Sequence, residues 1–236
     1  MRRLLLASAV VAASAGAASA SITTFFGFDA GQGENVRLAS HANSDAARAN
    51  FFSNLINVGT EDMEGFANGA GAGIVANFNG GRTATFNGTG NVANVPTGTN
   101  GVGRYPISGN QYWESGDNFS LTFNQPIAAF GFYGIDIGDF NGQVTLTLAN
   151  TPGPVVVNIG NPTGGLGGSV LYFGLIRTEA DILGIQFGNT QAGVDFFGFD
   201  DFSIGGLENV VIPLPSVAGM SLAGLAVIGI RRRRNA

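Results

Sequence analysis

Carboxylates gather at three places along this chain: Glu61, Asp62 and Glu64; Asp136 and Asp139; Asp195, Asp200 and Asp201. Hard oxygen donors collected around one point suit Ca2+, which takes about 6–8 oxygens at ~2.3–2.6 Å and needs neither His nor Cys. Pairing between the first and last strands of a sandwich brings Glu64 to Asp200 and Asp201, so these three are the expected ligands of a structural calcium ion. The alternative for each is a solvated edge acid or a turn cap. Phe197 and Phe199 share one parity, whereas Phe202 and Ile204 share the other, so the inward face of this strand switches at Asp200-Asp201. A β-bulge there would turn both carboxylates to one side.

Other chemistries have less to stand on. Paired acids also serve glycoside hydrolysis, at separations of about 5–9.5 Å. Asp136 and Asp139, however, precede an Asn141-Gly142 hairpin signal, where Asp commonly stabilises the loop. Tyr105, Tyr112 and Trp113 stand beside Asn, Gln and Glu, an arrangement that stacks on sugar rings and binds hydroxyls. Tyr112 and Trp113 are therefore candidate ligand-binding residues, with a core-capping Trp113 as the alternative. His41, the one His, has no GxSxG elbow to serve, and with no Lys there is no Walker A loop. No catalytic residue is assigned, and the expectation is that the protein is not an enzyme.

The elements that must position these groups are mostly strands. Residues 43–57 carry Ala46, Ala47, Phe51, Phe52, Leu55 and Ile56 at helical spacing, which predicts one amphipathic helix capped by Asn43 or Ser44. After Gly59, alternation at 82–86, 119–123 and 143–148 predicts strands with one dry and one wet face. Runs at 127–133, 155–159, 170–176, 182–187 and 196–204 are apolar on both parities. With no room for crossover helices, this spacing predicts an all-β antiparallel sandwich, jelly-roll-like, with one short N-terminal helix. The 19 Phe fill the space between its sheets, and the Gly- and Asn-rich stretches 87–103 and 160–168 form loops.

Composition narrows the setting. Eleven Arg face sixteen acids, and six of those Arg lie at the two ends, leaving five among all the acids between. Such a Lys-free acidic domain repels phosphate backbones, so no nucleic-acid partner is expected. The absence of Cys excludes disulfide scaffolds, thiol catalysis and Cys-ligated metals. Residues 1–20 have a basic tip, an apolar run and the small residues Ala18 and Ala20, which predicts a signal peptide. Residues 208–236 hold Pro213, Leu214 and Pro215, an apolar stretch predicted to form a short transmembrane helix, and Arg231, Arg232, Arg233 and Arg234. Between them lie an N-terminal segment, 21–59, with the helix, and a sandwich domain, 60–207.

The Pro-x-Pro, apolar helix and Arg cluster resemble the PEP-CTERM sorting signal, in a Pro-Leu-Pro variant with Leu214 where the name-giving Glu would stand. The domain, through Glu64-Gly65-Phe66, 128–140 and Phe197 to Ile204, is similar to a recurrent ectodomain of such proteins and to MAM-type and carbohydrate-binding jelly rolls. This resemblance implies an exosortase-type processing enzyme as a partner, brief residence in the inner membrane, and a final place at the cell surface or in the extracellular matrix with exopolysaccharide. A carbohydrate-binding module, or a secreted glycan-degrading enzyme, is the alternative function.

Overall fold

The computed structural model describes residues 21–116, 119–149, 153–191 and 195–211. In chain order these form β1 (Ile22–Asp29), α1 (Ala42–Phe52), β2 (Gly59–Glu61), β3 (Val75–Phe78), β4 (Arg82–Gly88), β5 (Asn91–Asn94) and β6 (Gln111–Ser115). There follow β7 (Phe119–Ile127), β8 (Ala129–Ile135), β9 (Val144–Ala149), β10 (Val155–Asn158), β11 (Val170–Arg177), β12 (Ile182–Asn189) and β13 (Phe197–Gly205). The strands make two antiparallel sheets. One runs β1-β11-β8-β13-β6-β5, with β2 also on β13; the other runs β10-β9-β12-β7-β4-β3. The fold is therefore an all-β sandwich with one short helix.

Phe fills the space between the sheets. Phe86, Phe119, Phe130, Phe132, Phe187, Phe199 and Phe202 form one continuous aromatic cluster, with neighbouring centroids such as Phe119–Phe187 at 4.4 Å. Each fully buried ring contributes roughly 1.5–3 kcal/mol of transfer free energy relative to exposure.

The first sheet is covered on both faces: every residue of β8, β11 and β13 is buried. The core lies on one side. On the other, α1 packs across β1 and β11, placing Phe51 against Gly131 and Gly174. The second sheet keeps one face open, and its strands alternate buried with exposed positions.

Three local expectations are corrected. The helix ends at Phe52 rather than running to residue 57, because the chain turns at Ser53-Asn54 and Leu55 forms an isolated bridge to Val210. Its N-cap is His41, without a side-chain cap bond. The open N–H groups of Asn43 and Ser44 are instead taken by the Asp29 carboxylate at the end of β1, at 3.2 and 2.9 Å. A carboxylate at that end also complements the helix dipole. Strand β1 itself, in the segment expected to hold only a helix, joins the first sheet along the whole of β11.

Candidate functional site

The parity switch in β13 is a bulge. Asp200 stands opposite Tyr133 and Ser203 opposite Gly131, so three steps on β13 span two on β8, and Asp201 takes a left-handed φ of 50°. The bulge turns both carboxylates toward the segment 107–108. Asp200 Oδ2 accepts the Ile107 N–H at 2.7 Å and the Ser108 N–H at 3.0 Å, while Ser108 Oγ donates to Asp201 Oδ1 at 2.7 Å. Asp200 Oδ1 also accepts the Asp201 N–H. Burial pushes the Asp200 carboxyl well above its ordinary range and the Asp201 charge adds to this, while the three N–H donors pull it back. Burial likewise raises Asp201, against the Ser108 bond and the Arg48 charge.

Glu64 acts just beyond. Its Oε1 accepts the N–H groups of Asn110 and Gln111 at 2.7 and 2.6 Å, and the Gln111 amide returns bonds to the carbonyls of Met63, Glu64 and Phe66. The three acids expected to share calcium thus converge on one stretch, 107–111, but they meet its N–H and hydroxyl donors. They brace the segment that leads into β6.

Trp113 and Tyr112 sit on opposite faces of that strand, and neither is exposed. Trp113 packs between the sheets against Phe86 and Phe119, with centroids at 5.0 and 5.6 Å. Tyr112 donates its hydroxyl to Glu114 Oε2 at 2.8 Å, an oxygen that also accepts from Asn100 and Arg104. Burial and Glu114 hold its phenol far above the ordinary range. Tyr105 is also buried, donating to the Gly168 carbonyl. The expected sugar platform is therefore corrected: both rings belong to a strand, β6, that is covered on both sides. His41 faces Asp45, its Nδ1 2.8 Å from Oδ1, and the Tyr133 hydroxyl donates to the same oxygen at 2.7 Å.

The third constellation joins residues far apart in sequence. Asp136, Asp139 and Asp195 each place a carboxylate oxygen within 4.8 Å of the others. Stacking of Phe140 on Phe197, with centroids at 5.4 Å, draws the loop before β9 to the residues before β13. Arg104 reaches the same place. Its Nη1 lies 3.5 Å from Asp136 and 3.4 Å from Asp195, and its Nε donates to Glu114 at 3.1 Å. Asp136, with φ 64°, accepts the Gly168 N–H at 2.7 Å. Burial, then the Asp139 charge, raises its carboxyl to about 7, against the Gly168 bond and Arg104. Burial works against the Arg104 charge, but Glu114, Asp136 and Asp195 outweigh it.

Three such oxygens have a spacing that a divalent cation can bridge. Asp136 is only 1% exposed and clasped by Arg104, which leaves it no face to offer a sugar ring. Sequence reading missed Arg104 and the union of Asp195 with Asp136 and Asp139. One signal was present: in a stretch holding five Arg among sixteen acids, a buried Arg must have carboxylates around it.

The signal-cleavage residues Ala18 and Ala20, and Pro213, Leu214, Pro215 and Arg231 to Arg234, lie outside the described residues. Among the described residues no helix is long and apolar enough to cross a membrane.

No known protein-family profile matches the chain, and no curated protein matches it in sequence. Among solved structures it is similar to the K2 cleaved adhesin domain of Lys-gingipain, at 11% identity and a TM-score of 0.40, over 61% of this chain and 96% of that one. A likeness of that degree carries no argument about activity.

Proposed function

We propose that the protein is an exported, non-enzymatic component of the cell surface or extracellular matrix, sorted by an exosortase-type enzyme and associated with exopolysaccharide. The observation that carries this proposal is an order along the chain. A basic tip, apolar run and Ala18-Ser19-Ala20 precede an acidic, Lys-free domain; Pro213-Leu214-Pro215, an apolar stretch and Arg231 to Arg234 follow it. Under the positive-inside rule the Arg cluster stays in the cytoplasm while the acidic domain lies across the membrane. The glycines of that apolar stretch, Gly219, Gly224 and Gly229, suit a temporary anchor.

The non-enzymatic part is supported by how the conspicuous side chains are used. Glu64, Asp200 and Asp201 hold backbone or hydroxyl donors, Tyr112 and Trp113 are buried, and Asp136 is clasped by Arg104. The jelly-roll-like assignment is supported by β2, the first strand after α1, lying beside the last strand β13.

Mass spectrometry of the native product tests the sorting. The expected mature chain begins at Ser21 and lacks Arg231 to Arg234. A cytosolic protein with both ends intact overturns the proposal.

A further inference from the structure

Among the described residues of its strands, the open face of the second sheet carries no charge. In β4, β7, β9 and β12, the positions alternating with the core are Thr, Ser, Asn, Gln, Gly, Ala and Pro, apart from a half-buried Leu183 at the irregular start of β12. The flanking β3 and β10 add only Val and Asn. All sixteen acids lie elsewhere in the chain. Residues in register form rows across the sheet. Thr85 pairs with Thr122, Thr122 with Gly184 and Gly184 with Ala149; in the next row Ser120 and Thr147 flank Gln186. Neighbouring strands stand about 4.8 Å apart, so the six span roughly 24 Å.

The relief of the face is low. Gly184 and Gly188 leave the central strand β12 without side chains at two of the three outward positions of its regular part, 184–188. The third, Gln186, is tied to the sheet, its amide donating to the Phe119 and Phe187 carbonyls at 2.9 and 3.0 Å. A flat lattice of hydroxyl and amide groups results, bordered by an exposed Val156.

We propose that this face docks a neutral polysaccharide, laid across the strands and held by repeated hydroxyl contacts. Charge matching selects that occupant. A basic protein would be drawn to the acids, which lie elsewhere, and a polyanion would be repelled by the acidic domain. An apolar partner would leave a field of hydroxyls and amides desolvated without bonds. An uncharged polymer of repeating hydroxyls offers a donor and an acceptor wherever the lattice presents its own. Each contact is weak, and many along one polymer add through effective concentration. This deepens the proposed association with exopolysaccharide and rests on it for the source of the polymer. Binding in vitro, however, is independent of sorting in the cell.

The test is co-sedimentation of the full chain, in mild detergent, with swollen cellulose and with curdlan as neutral probes and with calcium alginate as the anionic one. The parent chain is expected on at least one neutral glucan and not on alginate. Thr122→Glu and Thr147→Glu each set an unpaired carboxylate into the contact and weaken retention by about tenfold or more. Thr24→Glu, exposed on β1 of the other sheet, leaves it unchanged. Should either variant lower the melting midpoint, Asn77→Glu and Asn158→Glu bring the same charge to the exposed rim strands. Equal retention of parent and face variants, retention on alginate alone, or retention on no neutral glucan overturns the proposal. So does a parent dimer that the face variants dissociate, since the face would then serve a second copy. Loss of surface location in cells with glucan retention intact would count against the sorting signal only.

Discussion

Asp200 receives the Ser108 N–H at 3.0 Å across a sequence distance of 92 residues, and so fastens the loop before β6 to the bulge of β13. The same oxygen receives Ile107, and the site is closed to water, with Asp200 fully buried. Removing the side chain strands three backbone donors at once, those of Ile107, Ser108 and Asp201, each at roughly 1–3 kcal/mol. Asp200→Ala is therefore expected to cost about 3 kcal/mol in urea unfolding, whereas Ser108→Ala, which frees only one oxygen of Asp201, costs about 1 kcal/mol. Equal, small losses from both would show that the loop is held by something else.

Asp136 sets a pH dependence of opposite sense to the ordinary acid. Its carboxyl is raised to about 7 in the fold, chiefly by burial, whereas in an unfolded chain it titrates near ~3.9. Between those values the folded state holds a proton that the unfolded state has lost. Its stabilising contribution is complete below about pH 4, declines as pH rises toward about 7, and is flat above. Asp136→Asn keeps an oxygen for the Gly168 N–H and removes the titration. In the presence of a chelator, the variant is expected to lose this decline and to melt at or above the parent at pH 8. A parent whose stability climbs from pH 4 to 7, with no change in slope on substitution, would contradict the assignment.

Local periodicity made much of the sandwich legible. Phe119 to Phe123 and Val144 to Leu148 alternate because one face meets the core and the other stays wet, and the bulge at Asp200 showed as a change of parity among Phe197, Phe199, Phe202 and Ile204. Strand β6 was not legible. Gln111 and Glu114 look like loop residues, yet the Gln111 amide is taken by carbonyls near Met63, 48 residues away, and Glu114 by Arg104 of the loop that precedes the strand. The acids show the same limit. Their clustering was visible, but whether a carboxylate meets a cation or a backbone N–H depends on which distant loop arrives beside it. For Glu64, Asp200 and Asp201 that loop is 107–111.

The docking of α1 depends on missing side chains. A Cβ on Gly27 would lie 2.2 Å from the Asn43 carbonyl oxygen, inside any permitted contact, and the neighbouring backbone belongs to the helix start capped by Asp29. Gly27→Ala must lift α1 off the sheet or bend β1 away from β11. A loss of about 2 kcal/mol or more is expected, in the range of overpacked cores. Gly65→Ala, where nothing lies within 4 Å, serves as the matched control and is expected to be near neutral. Equal melting midpoints for the two variants would mean that the helix rests on the sheet more loosely than these distances state.

Trp113 separates core from contact. Its ring is fully buried among Phe86 and Phe119, on the inner side of the first sheet, away from the uncharged outer face of the second. Trp113→Ala is expected to cost about 3–5 kcal/mol, the loss typical of a large aromatic cavity. The indole Nε1 has no hydrogen-bond partner among the described residues, so Trp113→Phe forfeits volume but no bond and should cost distinctly less. If glucan retention belongs to the outer face, the folded fraction of either variant sediments with cellulose or curdlan as the parent does. If Trp113 instead supplied a sugar platform, Trp113→Phe would keep the fold and lose the polysaccharide. Unfolding curves and co-sedimentation on the same preparation distinguish these outcomes.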